Sequence, residues 1–299
     1  MKNSAIVSIY ENTKRMVLEE RHSRTTVSIF LCGANSSTRG SLRKPLRDEI
    51  EQKKSKYTYR VFYPEELFME LLYGHDRRDL LSLENVLASS VDAVAILLEG
   101  PGTIAELGAF TNHSKLSNKL IIIANEKFKG ASSFINQGPI RHLVRETTSS
   151  VIWVPYDQSE IPKIAETVCD SARKLASDHP IPYSIGNPIV SHQFLLALIY
   201  ILDPIDSEKL IEIVKVNESN FDAIADMIHA TLNVLVAKGL ICPGPKGFST
   251  TIKGNEYLIA SDATKKKSKE FAGFLYSQRI LSLSCVLKQR RRFHGPVRS

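Results

Sequence analysis

The reading of this chain turns on one stretch, Val91-Asp92-Ala93-Val94-Ala95-Ile96-Leu97-Leu98-Glu99-Gly100-Pro101-Gly102-Thr103-Ile104-Ala105-Glu106-Leu107-Gly108-Ala109. Its first eight residues are a nearly unbroken apolar run, the pattern of a parallel strand buried on both faces. Gly100, Pro101 and Gly102 predict a tight turn at the carboxyl end of that strand. Thr103 then begins a helix, with Glu106 in its first turn. Ligands of open α/β sheets bind beyond the carboxyl ends of the strands, so Glu106 stands where a carboxylate can reach a substrate. A carboxylate is the nucleophile that glycosyl transfer requires. Thr103-x-x-Glu106 also spells a capping box, in which the glutamate closes back on the helix N-terminus. The local pattern fits both readings equally, and the flanking sequence decides for catalysis.

Outward from this stretch, strands and helices alternate from Thr26 to Ala176. Val27–Cys32 reads as a first strand, followed by a loop, Gly33-Ala34-Asn35-Ser36-Ser37-Thr38, and a helix with Leu42, Leu46 and Ile50 on one face. Tyr59–Tyr63 is a second strand, and Glu66–Tyr73 and Leu80–Ala88 are helices. After the central strand and its helix come strands at Lys119–Ala124 and Val151–Val154, then a helix over Ile161–Ala176. Strands separated by helices imply an α/β fold with a parallel, Rossmann-like sheet and right-handed crossovers. A GxGxxG fingerprint is missing, which argues against a standard dinucleotide redox site.

The expected organisation is an N-terminal helical segment over 1–25, the α/β domain over 26–178, a linker over 179–189 with three prolines, and a C-terminal domain over 190–299. Within the last part, helices are expected at Phe194–Leu202, Ser207–Val214, Phe221–His229 and Ala230–Lys238. A hairpin follows (Leu240–Cys242, then Phe248–Ile252), and a last helix begins at Lys253. The chain of 299 residues is long enough for two domains, and 43% hydrophobic residues supply ordinary cores. Four scattered cysteines, without a CxxC pair, argue against a zinc site or a disulfide framework and fit a reducing, cytoplasmic setting. The polar N-terminus is no signal peptide, and no apolar run reaches the ~20 residues that span a bilayer. The net charge of +7 is concentrated late, at Lys265, Lys266, Lys267 and Lys269 and at Lys288, Arg290, Arg291 and Arg292. Beside a DNA-binding motif such clusters suggest a polyanionic partner.

Further candidate site residues lie around the same sheet end. Main-chain N–H groups from Gly33 through Asn35, Ser36 and Ser37 can hold phosphate or ribosyl oxygens, although the hydroxyls also read as simple N-caps. Glu84 and Asn85 form a polar pair in an apolar stretch and are candidates for ribose hydroxyls, unless Glu84 faces solvent. Glu99, seven residues before Glu106, can orient a sugar hydroxyl or raise the Glu106 pKa through like charge. Gly102 and Thr103 border the nucleophile. Phe134 and Asn136 lie in a polar-aromatic loop where an aromatic ring can stack on a base, or where Phe134 is instead buried at a helix entry. His75, His113 and His142 lack metal-ligand spacing, and no metal is expected.

Gly102-Thr103-Ile104-Ala105-Glu106-Leu107-Gly108 resembles the nucleophile motif of the nucleoside deoxyribosyltransferase-like family, and the resemblance implies that Glu106 is the nucleophile. That family carries an aspartate in the preceding turn, where this chain has Glu99 at a shifted spacing. Leu235-x-x-Lys238-Gly239-Leu240-Ile241, a hairpin, and Thr251-x-x-Gly254-x-x-Tyr257-Leu258 resemble the end of a winged helix. The chain as a whole resembles the effectors of type II retron antiphage systems that join these two parts. The stretches that carry this are Ile29-Phe30-Leu31-Cys32-Gly33, Phe62–Phe68, Leu80–Asn85, Glu106–Phe110 and Ser133–Pro139. The resemblance implies a toxin-like N-glycosidase that hydrolyses NAD⁺ as substrate and needs no cofactor. It also implies restraint by a reverse transcriptase and its multicopy single-stranded DNA (msDNA). Two other readings are a nucleoside 2-deoxyribosyltransferase or related nucleotide glycosidase, and a non-enzymatic nucleic-acid-binding regulator.

Overall fold

Five parallel strands carry the candidate site. In the computed structural model, which describes residues 3–21, 26–34, 40–64, 90–181, 185–218, 221–260 and 265–293, the chain divides into two units. One is Arg24–Pro182, and the other combines Met1–Ser23 with Tyr183–Ser299. The elements in chain order are α1 (Asn3–Lys14), a π-helical turn (Arg15–Arg21), β1 (Thr26–Cys32), α2 (Arg43–Gln52), β2 (Thr58–Phe62), β3 (Ala93–Leu97) and α3 (Pro101–Asn112). Then follow β4 (Leu120–Asn125), α4 (Arg141–Glu146), β5 (Ser150–Val154), α5 (Ile161–Asp178), α6 (Pro188–Leu202), α7 (Ser207–Asn217) and α8 (Phe221–Ala237). The chain ends with β6 (Ile241–Gly244), β7 (Gly247–Thr250), α9 (Ile252–Ala260) and α10 (Lys265–Phe293). The helices expected at Glu66–Tyr73 and Leu80–Ala88 lie outside the described residues.

The first unit is an α/β fold with strand order β2-β1-β3-β4-β5, all pairs parallel, consistent with a Rossmann-like domain. Its central strands are buried on both faces, so their sequences run apolar without alternation. Val27, Ile29, Leu31, Ala93, Ala95, Leu97, Ile121 and Ile123 point to one side and form a core with α2 and α5. Phe30, Val94, Ile96, Leu120 and Ile122, on the alternate positions, are buried as well. β2 alternates between buried and partly exposed positions, as an edge strand does. α5 buries Ile161, Ile164, Ala165, Val168, Cys169, Ala172 and Leu175, a helical stripe.

This strand order reverses direction between β1 and β3. The carboxyl ends of β1 and β3 therefore form the topological switch point, the place where folds of this kind bind ligands.

In the second unit, Ile9, Tyr10, Val17 and Leu18 of the N-terminal segment share a core with α6 to α10. The Tyr10 hydroxyl donates to Glu218 at 2.8 Å, and Lys14 pairs with the same carboxylate. The two helices expected over Phe221–His229 and Ala230–Lys238 are a single helix, α8, because no residue between them breaks the backbone ladder. It stops at Gly239, whose φ of 66° is left-handed. β6 and β7 form an antiparallel hairpin, and Ile205 bridges to Phe248. Thr251 accepts from Gly254 N at 2.9 Å and donates to Gly239 O at 2.7 Å, starting α9. A Cβ at Gly254 would lie 2.0 Å from Leu240 O, so Thr251-x-x-Gly254 is required by close packing of the chain on itself. The late basic clusters fall within α10, a 29-residue helix. Its buried face carries Phe271, Leu275 and Ser282.

Candidate active site

α3 begins two residues earlier than its sequence suggests. Gly100 is the N-cap, Pro101 occupies the first helical position with its fixed φ, and Thr103 is the third residue. The Thr103 hydroxyl accepts from Gly100 N at 3.2 Å and donates to Gly100 O at 2.8 Å. Thr103 thus closes the box backwards, from the position that glutamate usually takes. Glu106 sits in the second turn of α3 and not the first, beyond reach of the cap role that Thr103-x-x-Glu106 suggested. Its side chain is partly exposed. Beside it, Gly102 is exposed, and a Cβ built at Gly100, Gly102 or Gly108 meets no atom within 4 Å. Packing among the described residues gives none of these three glycines a reason.

Glu99 ties the ends of β3 and β1 together. Its Oε2 accepts from Ala34 N at 3.0 Å and from Ser41 Oγ at 3.1 Å, and its Oε1 accepts from Leu42 N at 2.8 Å. These donors flank the Gly33 loop and the start of α2, whose N-cap Leu42 has no side-chain cap of its own. Ser41 Oγ also accepts from Arg43 N at 3.3 Å. Arg43, 3% exposed, donates Nε to Leu31 O at 3.2 Å and Nη1 to Gly33 O at 3.5 Å. Its guanidinium lies 4.1 Å from the centre of the Tyr63 ring, and that of Arg47 lies 4.5 Å from it. A Cβ on Gly33 would come within 3.0 Å of Arg43 Cδ, so the glycine makes room for this arginine. Tyr156 donates its hydroxyl to Ile123 O at 2.6 Å, and burial together with the Glu99 charge pushes its pKa well up.

The structure therefore brings Gly33, Glu99, Gly102, Thr103 and Glu106 to the carboxyl ends of β1 and β3. Asn35, Ser36, Ser37, Glu84 and Asn85 lie outside the described residues. The other two candidates stand on the loop after β4. Asn136 Nδ2 donates to Phe128 O at 2.7 Å and to Ala131 O at 2.8 Å, so this amide braces the loop. Phe134 is 85% exposed, which removes the alternative of a buried helix-entry residue. The backbones of Lys265, Lys266, Lys267, Arg290, Arg291 and Arg292 belong to α10. Among the described residues no cluster of three or more His, Cys, Asp or Glu is placed to hold a metal ion. No described helix is long and apolar enough to cross a membrane.

Sequence reasoning missed Arg43, Ser41 and Tyr156. For Arg43 a signal existed: a cation in the first turn of a helix opposes the macrodipole and needs another reason to stand there. Ser41 and Tyr156 act through contacts distant in sequence and left no local trace.

Comparison with known proteins shows the family of the chain. The family model described as "STM3845 retron effector protein" matches residues 39–242. The "Retron Ec86 putative ribosyltransferase/DNA-binding protein" of Escherichia coli is 32% identical over 253 residues, which cover 80% of each chain. The "Retron Ec73 putative ribosyltransferase/DNA-binding protein" of the same organism is 29% identical over 208 residues, covering 62% of this chain and 65% of its own. The family match runs from before α2 to the start of β6 and includes Glu106, and this chain is a member of the retron effector family.

Proposed function

We propose that the α/β unit is an N-glycosidase that hydrolyses NAD⁺, with Glu106 as its nucleophile. One observation carries this reading. At the switch point, Thr103 closes the helix cap and Glu99 braces the neighbouring loop, and Glu106 stands partly exposed in the second turn of α3, at the carboxyl end of β3 where parallel sheets bind ligands. The relatives' printed names, which contain ribosyl transfer, support the reaction class.

In the proposed reaction a Glu106 carboxylate oxygen approaches C1′ of the nicotinamide ribosyl group. The C1′–N1 bond breaks and its electron pair goes to the pyridinium nitrogen, so nicotinamide leaves neutral and needs no general acid. The carboxylate forms a glycosyl ester or stabilises the oxocarbenium ion. Water then adds to C1′, loses a proton and releases ADP-ribose. Incubating the purified protein with NAD⁺ and following nicotinamide tests this. Loss in Glu106→Gln with an unchanged melting curve supports it, and retained hydrolysis refutes it. Because ribosyl transfer stands in the relatives' names, a second incubation with a deoxynucleoside and a free base separates transfer from hydrolysis.

The second unit we read as a winged helix. The order α6, the Ile205 bridge, α7, α8 and the β6–β7 hairpin supports this reading, since a winged helix has three helices with a small sheet and a wing. With the basic clusters of α10 it is the docking part for the reverse transcriptase and its msDNA. Binding through phosphates falls steeply with salt. Neutralising Arg290, Arg291 and Arg292 together weakens it, and salt-independent binding favours a protein contact instead.

A further inference from the structure

Strands β3 and β4 do not end together. Their last paired residues are Leu97 and Ile123, whereas β4 runs on beside β5 through Ala124 and Asn125, opposite Trp153 and Val154. β3 therefore leaves the sheet at a fork, and its departure begins the turn that leads into α3. The final rung before the fork is Leu98 N donating to Ile123 O at 3.0 Å. One residue later Glu99 N donates to Leu97 O at 2.8 Å, which bends the chain away, and Gly100 then caps the helix that carries Glu106.

A side chain from the edge of the sheet meets this rung. Tyr156 lies two residues beyond the end of β5, and its hydroxyl reaches across to β4 and donates to the same Ile123 O at 2.6 Å. That carbonyl faces β3, since it accepts from Leu98, so the hydroxyl stands where β3 departs. Burial first, and the Glu99 charge second, push the Tyr156 pKa above the ordinary tyrosine range, so the hydroxyl keeps its proton and stays a donor. The ring packs against the core shared with α2 and α5, and a phenylalanine ring would pack there without a polar group to satisfy. Ile123 O already has a partner in Leu98. Neither the core nor the carbonyl accounts for the hydroxyl.

We propose that Tyr156 is a positioning residue for Glu106. By doubling the last β3–β4 rung it fixes the point at which β3 turns away, and with it the place of the first turns of α3. This deepens the glycosidase reading and rests on it for the role of Glu106. A nucleophile displaced by a fraction of an ångström loses rate in the chemical step more than it loses substrate binding.

The test is Tyr156→Phe in the full-length protein, which removes the hydroxyl and keeps the ring. With NAD⁺, kcat is expected to fall about tenfold, KM to stay within about twofold and the thermal midpoint within about 2 °C. Amide hydrogen exchange reads the same effect without turnover. Leu98 and the first turn of α3 are expected to exchange about tenfold faster in the variant, with the β4–β5 amides unchanged. An unchanged kcat, or faster exchange spread evenly over the sheet, overturns the proposal. Where Tyr156→Phe does not fold, exchange in the wild-type protein decides. Leu98 is protected like an interior strand amide if the hydroxyl holds the rung, and exchange at the rate of a frayed strand end overturns it. A wild-type protein without NAD⁺ hydrolysis would defeat the glycosidase reading, while the exchange rates still decide whether Tyr156 holds the start of α3.

Discussion

Strand β3 is bordered by a carboxylate at each end, and the two are held differently. At the amino end, Asp92 is 4% exposed. Its Oδ2 accepts from Ser28 N at 2.8 Å and from Ser28 Oγ at 2.6 Å, and Ser28 Oγ accepts from Asp92 N at 3.1 Å. Beside it, buried Lys119 donates to Val91 O at 3.1 Å. At the carboxyl end, Glu99 uses the same device of strand-end carboxylate to main-chain amide, yet it remains partly exposed. The sealed cluster fixes the register of β1 against β3. The open one joins the end of β3 to the residues that follow β1 at the switch point. One sheet thus uses a sealed carboxylate at the amino end of β3 and a partly exposed one at the carboxyl end, the end where parallel sheets bind ligands.

The largest test of this asymmetry is chemical. Glu106→Gln keeps the size of the side chain and removes the nucleophile, and is expected to lower NAD⁺ hydrolysis by at least about a thousandfold. Stability is expected to stay unchanged, measured by urea unfolding. Asp92→Ala is expected to do the reverse. It leaves Ser28 N and Oγ without an acceptor in a buried place and costs about 3 kcal/mol of stability. Asp92→Asn, which keeps an oxygen for Ser28, is expected to cost about 1 kcal/mol or less by the same measurement. Equal losses in the two Asp92 variants would show that Ser28 is not the reason for the aspartate.

A smaller effect comes from pH. Burial, opposed by the Ser28 hydrogen bonds and the Lys119 charge, pushes the Asp92 carboxyl above the usual aspartate range. The folded protein therefore holds that proton longer than the unfolded chain does, and stability falls as pH climbs from the ordinary aspartate range through the raised value. Lys119 runs the other way. Burial lowers its pKa against the pull of Asp92, so stability rises as pH climbs from that lowered value to the ordinary lysine range. Asp92→Asn is expected to remove the acid-side fall and leave the alkaline-side rise, read from urea midpoints across a pH series. A fall that survives in Asp92→Asn belongs to another group.

How legible these features were in the sequence follows from how far apart the partners lie. The strands buried on both faces, β1, β3 and β4, write continuous apolar runs and are read directly. The sheet end that carries Glu106 follows from the glycine-proline turn after β3. The Glu99 clamp joins residues 57 to 65 positions apart, and no local pattern encodes such a pair. α10 was hidden for a different reason: its lysine-rich start looks like a solvated tail, while the residues that make it a helix in the fold, Phe271 and Leu275, act through the core. The start of α3 was misplaced because Thr-x-x-Glu reads forwards as a capping box, while the chain uses the threonine backwards onto Gly100.

That reversal gives the smallest prediction and the one closest to the site. Thr103 is 4% exposed and supplies both the acceptor for Gly100 N and the donor for Gly100 O. Thr103→Ala removes both and is expected to cost about 1 kcal/mol, the usual worth of a helix cap. Thr103→Ser keeps the hydroxyl and is expected to recover most of it, with the difference read from urea midpoints. Because α3 carries Glu106 one turn further on, fraying at Gly100 is also expected to lower turnover several-fold in Thr103→Ala and to spare it in Thr103→Ser. If Thr103→Ala lost stability but kept full turnover, the cap would serve the fold alone, and the carboxyl end of β3 would resemble the sealed amino end more than the contrast between Asp92 and Glu99 implies.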